Sequence, residues 1–367
     1  MRHNLVSKIF IILFLFFLPL TLHAQEAYYR AEVLQVIAQE DYQREDGSYG
    51  VRQHLLLRIK NNDLAGKEIE INNLNDFDVL SQNKYKVGDQ VIVAHYQNQT
   101  GEDYYQIQDY VRTKSLFWLV LVFILLIIAI GKWKGLRALL GLCLSFVVIM
   151  YFMIPQILAG YSPLLIGTIG SVIILSMLIY LTEGWQKLSH LSILSIVVSL
   201  SITAVLAVIF TNLANLLGGG SDEILFLIGV GENTINFKGL LLTGIIIGTL
   251  GVLDDVVVSQ ISLVEEIKNA NPSLSRKEIF NRAMKVGITH IGAMTNTLFL
   301  AYAGAALPLL LLFSVQNPPF LSFFDVINNE LIATEIVRTL TGSVGLTLAA
   351  PIATLVAVLS QKNSSSN

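Results

Sequence analysis

Two adjacent carboxylates, Asp254 and Asp255, interrupt the apolar stretch GTLGVLDDVVVSQISLVEE at residues 248–266. A charged carboxylate in hydrocarbon is expensive, so such a group faces a polar cavity, pairs with a partner, or takes up a proton. At helical spacing Gly244, Gly248, Gly251, Asp255, Ser259, Ser262 and Glu266 follow one another at three or four residues and share one face. The first half of this stripe is glycine, which lets a second helix approach closely. Its second half is carboxylate and hydroxyl, the groups of a proton- or ion-coupled pathway. Asp254 is turned about 100° from the stripe and is flanked by Leu250 and Val258 on its own face. The spacing therefore favours Asp255 as the group that does chemistry. The competing reading ends the apolar segment earlier and puts both aspartates at the inner interface beside Glu265 and Glu266.

Two later stretches carry further polar groups. In THIGAMTNTLFLAYAGAALP, residues 289–308, Gly292, Ala293, Thr297, Ala301 and Gly304 supply small residues, with Asn296 beside them and Tyr302 further along. An asparagine inside a span needs a partner, and a carboxylate on a neighbouring helix would serve, although helix-to-helix glue is the commoner role. His290 stands at the inner edge, as a relay member or simply as a solvated ring. In NNELIATEIVRTLTGSVGLTLAAP, residues 328–351, Glu335 and Arg338 are three apart and close enough to pair. The default reading of that pair is an ion pair at the outer interface.

No enzyme motif accompanies these groups. The chain has no HExxH, GxSxG or P-loop, and no metal-spaced His/Cys/carboxylate set, so neither a cofactor nor a metal is expected. The single cysteine, Cys143, has no intrachain partner and reads as a small buried hydrophobe.

The elements that must position these residues are set by composition. Of 367 residues, 53% are hydrophobic and 14% charged, which marks a polytopic α-helical membrane protein with the lipid bilayer as its first partner. The net charge of −3 and the lack of a basic stripe exclude nucleic acid as a natural partner. Residues 1–25 combine Arg2 and Lys8 with a short apolar run from Ile9 to Leu22, a signal peptide cut near Ala24 or else an uncleaved anchor. Residues 26–114 read as an extracytoplasmic β domain, a small barrel of the OB kind. Its candidate strands are Tyr28 to Ala38, Val51 to Ile59, Lys67 to Ile71, Gln90 to His95 and Tyr104 to Arg112. With 15 acidic and 10 basic residues this domain suits a protein or cell-wall contact, or a passive cap, better than a phosphate backbone.

Residues 115–360 hold seven apolar segments: Leu116 to Ile130, Ala138 to Ile154, Leu164 to Leu181, Leu191 to Leu213, Gly239 to Leu263, Ile291 to Phe313 and Leu340 to Leu359. Each is long enough to cross a layer of ~30 Å, the first only barely. Between the fourth and fifth, Glu223 to Val230 (EILFLIGV) is too short to span and reads as an interfacial or re-entrant piece. The sequence Ile166 to Gly170 resembles Ile247 to Gly251, in two segments that should run the same way. With the β domain outside, the inner connections hold Lys132, Lys134, Arg137, Lys187, Lys268, Arg276, Lys277, Arg282, Lys285 and Lys362, and the outer loops only Lys238 and Arg338. This asymmetry implies a plasma-membrane protein whose polar tail, residues 361–367, is cytoplasmic.

Taken in order, these stretches resemble the YibE/F family of bacterial membrane proteins. The likeness is carried by Gly251, Asp255-Val256, Ser259, Ser262 and Glu265-Glu266, then Met294-Thr295-Asn296-Thr297 with Ala301-Tyr302, Gly304 and Leu307-Pro308, then Glu335, Arg338, Gly342, Gly345 and Pro351. It covers nearly all of the membrane half, and Asp254 stands where the resemblance implies an apolar residue. The resemblance implies the topology and the choice of site, and no biochemical activity. The function expected from the residues is that of a transporter or permease for a small solute or ion. The rival is a non-transporting scaffold or partner subunit bound to another membrane protein, whose polar residues pin helices together.

Overall fold

Alternation of apolar and polar residues in the first third of the chain builds strands, and long apolar runs in the remainder build helices. The computed structural model describes residues 27–43, 49–72, 84–97, 103–220, 224, 227, 235–314 and 322–361. The signal segment, the turns at Glu45-Asp46-Gly47 and Thr100-Gly101, most of Glu223 to Val230 and the tail beyond Gln361 lie outside the described residues. The chain divides into two units, Met1–Ile127 and Ile128–Asn367.

The first unit holds strands β1 (Ala27–Gln43), β2 (Tyr49–Ile59), β3 (Glu68–Asn72), β4 (Gln90–Gln97) and β5 (Asp103–Tyr110). They form one antiparallel sheet in the order β3-β2-β1-β4-β5. Tyr29, Ala31 and Val33 of β1 alternate inward with Leu55, Leu57 and Ile59 of β2 and Val91 and Val93 of β4, which makes the core. Register shifts at Val33/Gln35 and Val36/Ala38 bend β1, as bulges do, so that its first half pairs with β4 as well as β2. The sheet curls far enough for the Lys67 ammonium, just before β3, to donate to the Tyr105 hydroxyl on β5 at 3.1 Å. The result is a half-barrel.

The second part is helical. Helix α1 (Thr113–Val148) continues through a π turn (Ile149–Met153) into α2 (Ile154–Leu158). It is followed by α3 (Pro163–Thr182), α4 (Lys187–Leu213), α5 (Phe237–Ala270), α6 (Arg276–Ala305), α7 (Leu307–Ser314), α8 (Phe323–Asn328) and α9 (Glu330–Leu359). Among the described residues five segments are long and apolar enough to cross a membrane: Thr113–Leu158, α3, α4, α5 and α9. The seven expected segments differ from these five at two places. The first two expected spans lie in one continuous segment, although Lys132, with φ 48° and ψ −125°, breaks its helical path between them. The sixth is split: α6 stops at Ala305 and α7 begins again at Leu307, beside Pro308, whose missing backbone N–H removes a bond of the helical ladder across the junction.

In the helical unit α3, α4, α5 and α9 share one core containing Leu175, Ile196, Ile246, Leu253, Val257, Leu346 and Ala350. Small residues set the closest approaches. Gly345 of α9 lies against the Thr203 side chain of α4, Gly342 against Thr249 of α5, and Gly167 of α3 against Thr243 of α5. The buried serines Ser195 and Ser199 and Thr203 turn their hydroxyls back onto carbonyls four residues earlier, at 2.8–2.9 Å, so α4 presents a narrow face on which these three groups are paired, while the buried Ser192 and Thr211 hydroxyls are not. Deeper in, Gln260 of α5 donates to the Ala283 carbonyl on α6 at 3.0 Å and to the Thr354 hydroxyl on α9 at 2.9 Å. One amide thereby ties three helices.

Candidate functional site

Contacts between α3 and α5 fix the depth of the aspartates. Gly239 packs on the Pro163 ring and Gly167 on Thr243, so the two helices run in the same direction from a common starting level. Helix α3 is about 30 Å long, one hydrocarbon thickness. Asp254 lies roughly 22 Å below the Gly239 level by the helical rise. That puts the pair level with the last third of α3.

The two carboxylates face different ways, and not as the stripe suggests. Asp255 is exposed, as are Gly244, Gly248, Gly251 and Ser259. The face that α5 buries is made of large apolar residues, Leu242, Ile246, Leu250, Leu253, Val257 and Ile261. Asp254 turns partly inward, and its Oδ1 is buried without a hydrogen-bond partner. Its charged neighbours are the carboxylates of Asp255 and Glu183. On α6, Gly292, Asn296, Thr297 and Gly304 are likewise exposed, and Thr297 bonds its hydroxyl to the Ala293 carbonyl at 3.0 Å. Among the described residues neither Ser259 nor Asn296 donates to Asp255, so the structure does not assemble that trio. Gly244, Gly251, Gly292 and Gly304 would meet nothing within 4 Å if each gained a Cβ.

The remaining candidates do come together, nearer the start of α5. The Glu335 carboxylate accepts from Arg338 Nη1 at 2.9 Å on α9, with 26% and 28% of the two side chains exposed. The Arg338 guanidinium carbon lies 5.9 Å from the centre of the Tyr302 ring, within cation–π range. The Tyr302 hydroxyl in turn lies over Gly248, where any Cβ would collide with it. Gly248 is therefore the one glycine of the stripe that makes a close approach, to a side chain of α6 rather than to a backbone. Arg338 Nε is buried with no hydrogen-bond partner.

Two cavities meet at this ion pair. One of about 320 Å³ is lined by Gly218, Gly220, Phe237, Thr334, Glu335 and Arg338 among others. Its wall is set by Glu330, whose Oε1 accepts from the backbone N–H groups of Leu217 and Gly218 at 2.8 Å each, and by the positive φ of 75° that only glycine adopts freely at position 218. The other, about 350 Å³, is lined by Phe299, Tyr302, Phe323, Ile327, Glu335 and Leu340 among others and is almost wholly apolar. Sequence reasoning named the pair and the tyrosine but not the cavities, which form from α7, α8 and the glycine loop. It also missed Gln260 and the α4 serines, whose three- and four-residue spacing was visible.

In the β unit a second polar group stands on β4 and β5. His95 Nε2 lies 2.8 Å from Asp103 Oδ1, and the His95 ring stacks on Tyr105 at 4.8 Å. The hydrogen bond from His95 lowers the Asp103 pKa, and the bond to Tyr105 raises that of Lys67. Among the described residues no three of His, Cys, Asp and Glu gather closely enough to hold a metal ion.

Comparison with known families covers nearly the whole chain. Residues 27–110 match the family model described as the YibE/F family N-terminal domain, and residues 119–363 match the one described as YibE/F-like protein. No curated protein and no solved structure matches the chain.

Proposed function

The chain belongs to the YibE/F family, and from that premise we propose that it is a plasma-membrane transporter or permease for a small solute or ion, with the Asp254 carboxylate as its coupling group. The observation that carries this reading is the buried, unpartnered Oδ1 of Asp254 within an apolar helix long enough to cross a membrane. A buried polar atom without a partner costs about 1–3 kcal/mol, and a charged carboxylate there costs more. A proton or cation that visits the group during a transport cycle offsets that cost and gives it a use. The topology that goes with this reading is seven crossings, divided at Lys132 in the first segment and including α6, with the β domain outside and the tail inside.

The test is a solute and pH-gradient screen on purified protein in liposomes. Flux of one solute that depends on the gradient, abolished by Asp254→Asn and reduced much less by Asp255→Asn, is the expected outcome. Full flux in Asp254→Asn removes the carboxylate from the mechanism, and the absence of any flux in the parent removes transport. A second reading, a scaffold or partner subunit, is favoured by one observation. The exposed small and polar face of Gly244, Gly251, Asp255, Asn296 and Gly304 suits close contact with a helix of another membrane protein.

A further inference from the structure

The geometry points to the Glu335–Arg338 pair as the binding site for a zwitterion with an apolar side chain, such as a hydrophobic α-amino acid. Among the described residues that line the two adjoining cavities, these are the only charged side chains, one of each sign, and Glu330 beside the first cavity is held by the backbone N–H groups of Leu217 and Gly218. Neither member is saturated. Glu335 takes one of the five donors of Arg338, through Nη1, and Arg338 Nε has no partner. An anion on the Nε edge would satisfy that buried donor and form the two-pronged pair that guanidinium favours. A simple anion would leave a second negative charge beside Glu335, and a simple cation a second positive charge beside Arg338. A zwitterion placed antiparallel to the pair avoids both, with its carboxylate on Arg338 and its ammonium on the open oxygen of Glu335.

The cavities say what else the ligand carries. Glu335 lines both, so a group held by it has one arm's length to the apolar cavity of about 350 Å³, within the size range of small-molecule sites. Phe299, Ala303, Leu310, Phe323, Ile327 and Leu340 line that cavity. It suits a branched or aromatic side chain and offers nothing to a polar one. The inference rests on the transport reading only for what binding is for; occupancy of the site does not require flux.

The experiment is equilibrium binding of leucine to the purified full-length protein in neutral-lipid nanodiscs, followed by calorimetry. Three probes share its shape: 4-methylpentanoate lacks the ammonium, 3-methylbutylamine lacks the carboxylate, and glycine lacks the side chain. Saturable leucine binding is expected, with each of the three weaker by at least about ten-fold, because a site built for a polar group rejects an analogue lacking it. Arg338→Gln should weaken leucine at least as much. Ala303→Leu, which fills the apolar cavity and leaves both charges in place, should lose leucine while the protein keeps its parent melting temperature. No saturable leucine binding to the parent overturns the inference, as does 4-methylpentanoate or glycine binding equally well. Leucine binding without leucine flux in liposomes leaves the site standing and removes leucine alone as the transported solute.

Discussion

Gly345 and Gly251 are indistinguishable as letters, yet an added methyl group would meet opposite surroundings at the two positions. At Gly345 it would strike the Thr203 hydroxyl in the core between α4 and α9, whereas at Gly251 nothing lies within 4 Å. Gly345→Ala should therefore destabilise by about 1–3 kcal/mol as an overpacked site. Gly251→Ala should be neutral or stabilise by about 0.5–1 kcal/mol through helix propensity. Thermal unfolding in detergent reads both; a large loss at Gly251 would mean that a second chain covers this face. Gln260→Ala should likewise cost about 1–3 kcal/mol by stripping the Ala283 carbonyl of a donor, and an unchanged melting temperature would deny it the role of a tie. The aspartates teach the same lesson. Sequence spacing separated Asp254 from Asp255 by about 100°, which the structure respects. It could not say which of the two turns toward protein, because lipid is as apolar as the core and hydropathy does not distinguish them. The glycine stripe lies on the exposed face of α5 with Asp255, and the aspartate with a buried oxygen is Asp254.

Whole elements were more legible than their faces where polarity alternates. The strands of the half-barrel were expected within a few residues of where they lie, because water on one side makes a period of two visible. The long end of β1, Gln39–Gln43, was missed since it lacks apolar alternation and is extended by pairing with β2. The helices lost accuracy at breaks: Lys132 interrupts α1 through backbone geometry alone, and Pro308 divides a run whose hydropathy is continuous. The β4–β5 pair carries a pH prediction. The hydrogen bond from His95 holds the Asp103 carboxyl below its ordinary value of about 3.9. A depressed carboxylate contributes stability above the unfolded pKa and loses it as pH falls through the folded one. Acid should therefore loosen this pair progressively below about pH 4. Hydrogen exchange of β4 and β5 in the full-length protein should rise over that range, and Asp103→Asn should flatten the rise. An acid limb that persists unchanged in Asp103→Asn would assign the effect to another group.

For the whole molecule, the ends of the helical unit sort by charge. Lys187 Nζ donates to the Ser360 carbonyl and Arg276 Nη2 to that of Gln361, each at 2.7 Å, so the starts of α4 and α6 meet the end of α9. At the opposite end Lys238 Nζ donates to Asn212 Oδ1 at 2.7 Å, and Glu330 holds the glycine loop. The basic end belongs in the cytoplasm if lysine and arginine govern insertion. The decisive region is the first segment, since Thr113–Leu158, 46 residues in all, is about twice as long as one crossing needs. Lys132, Lys134 and Arg137 at its break should turn inward, and the exposed Tyr161 after it should face outward. In a Cys143→Ser background, Tyr161→Cys should react with an impermeant thiol reagent on intact cells. Lys134→Cys should react only after the membrane is opened. A reporter after Lys114 should be active outside, and one after Lys362 inside. If Lys134→Cys reacts from outside, the first segment does not cross at its break, and the seven-crossing topology falls with it. If both reporters lie on the same side, the number of crossings is even, and the placement of the β domain opposite the tail is wrong.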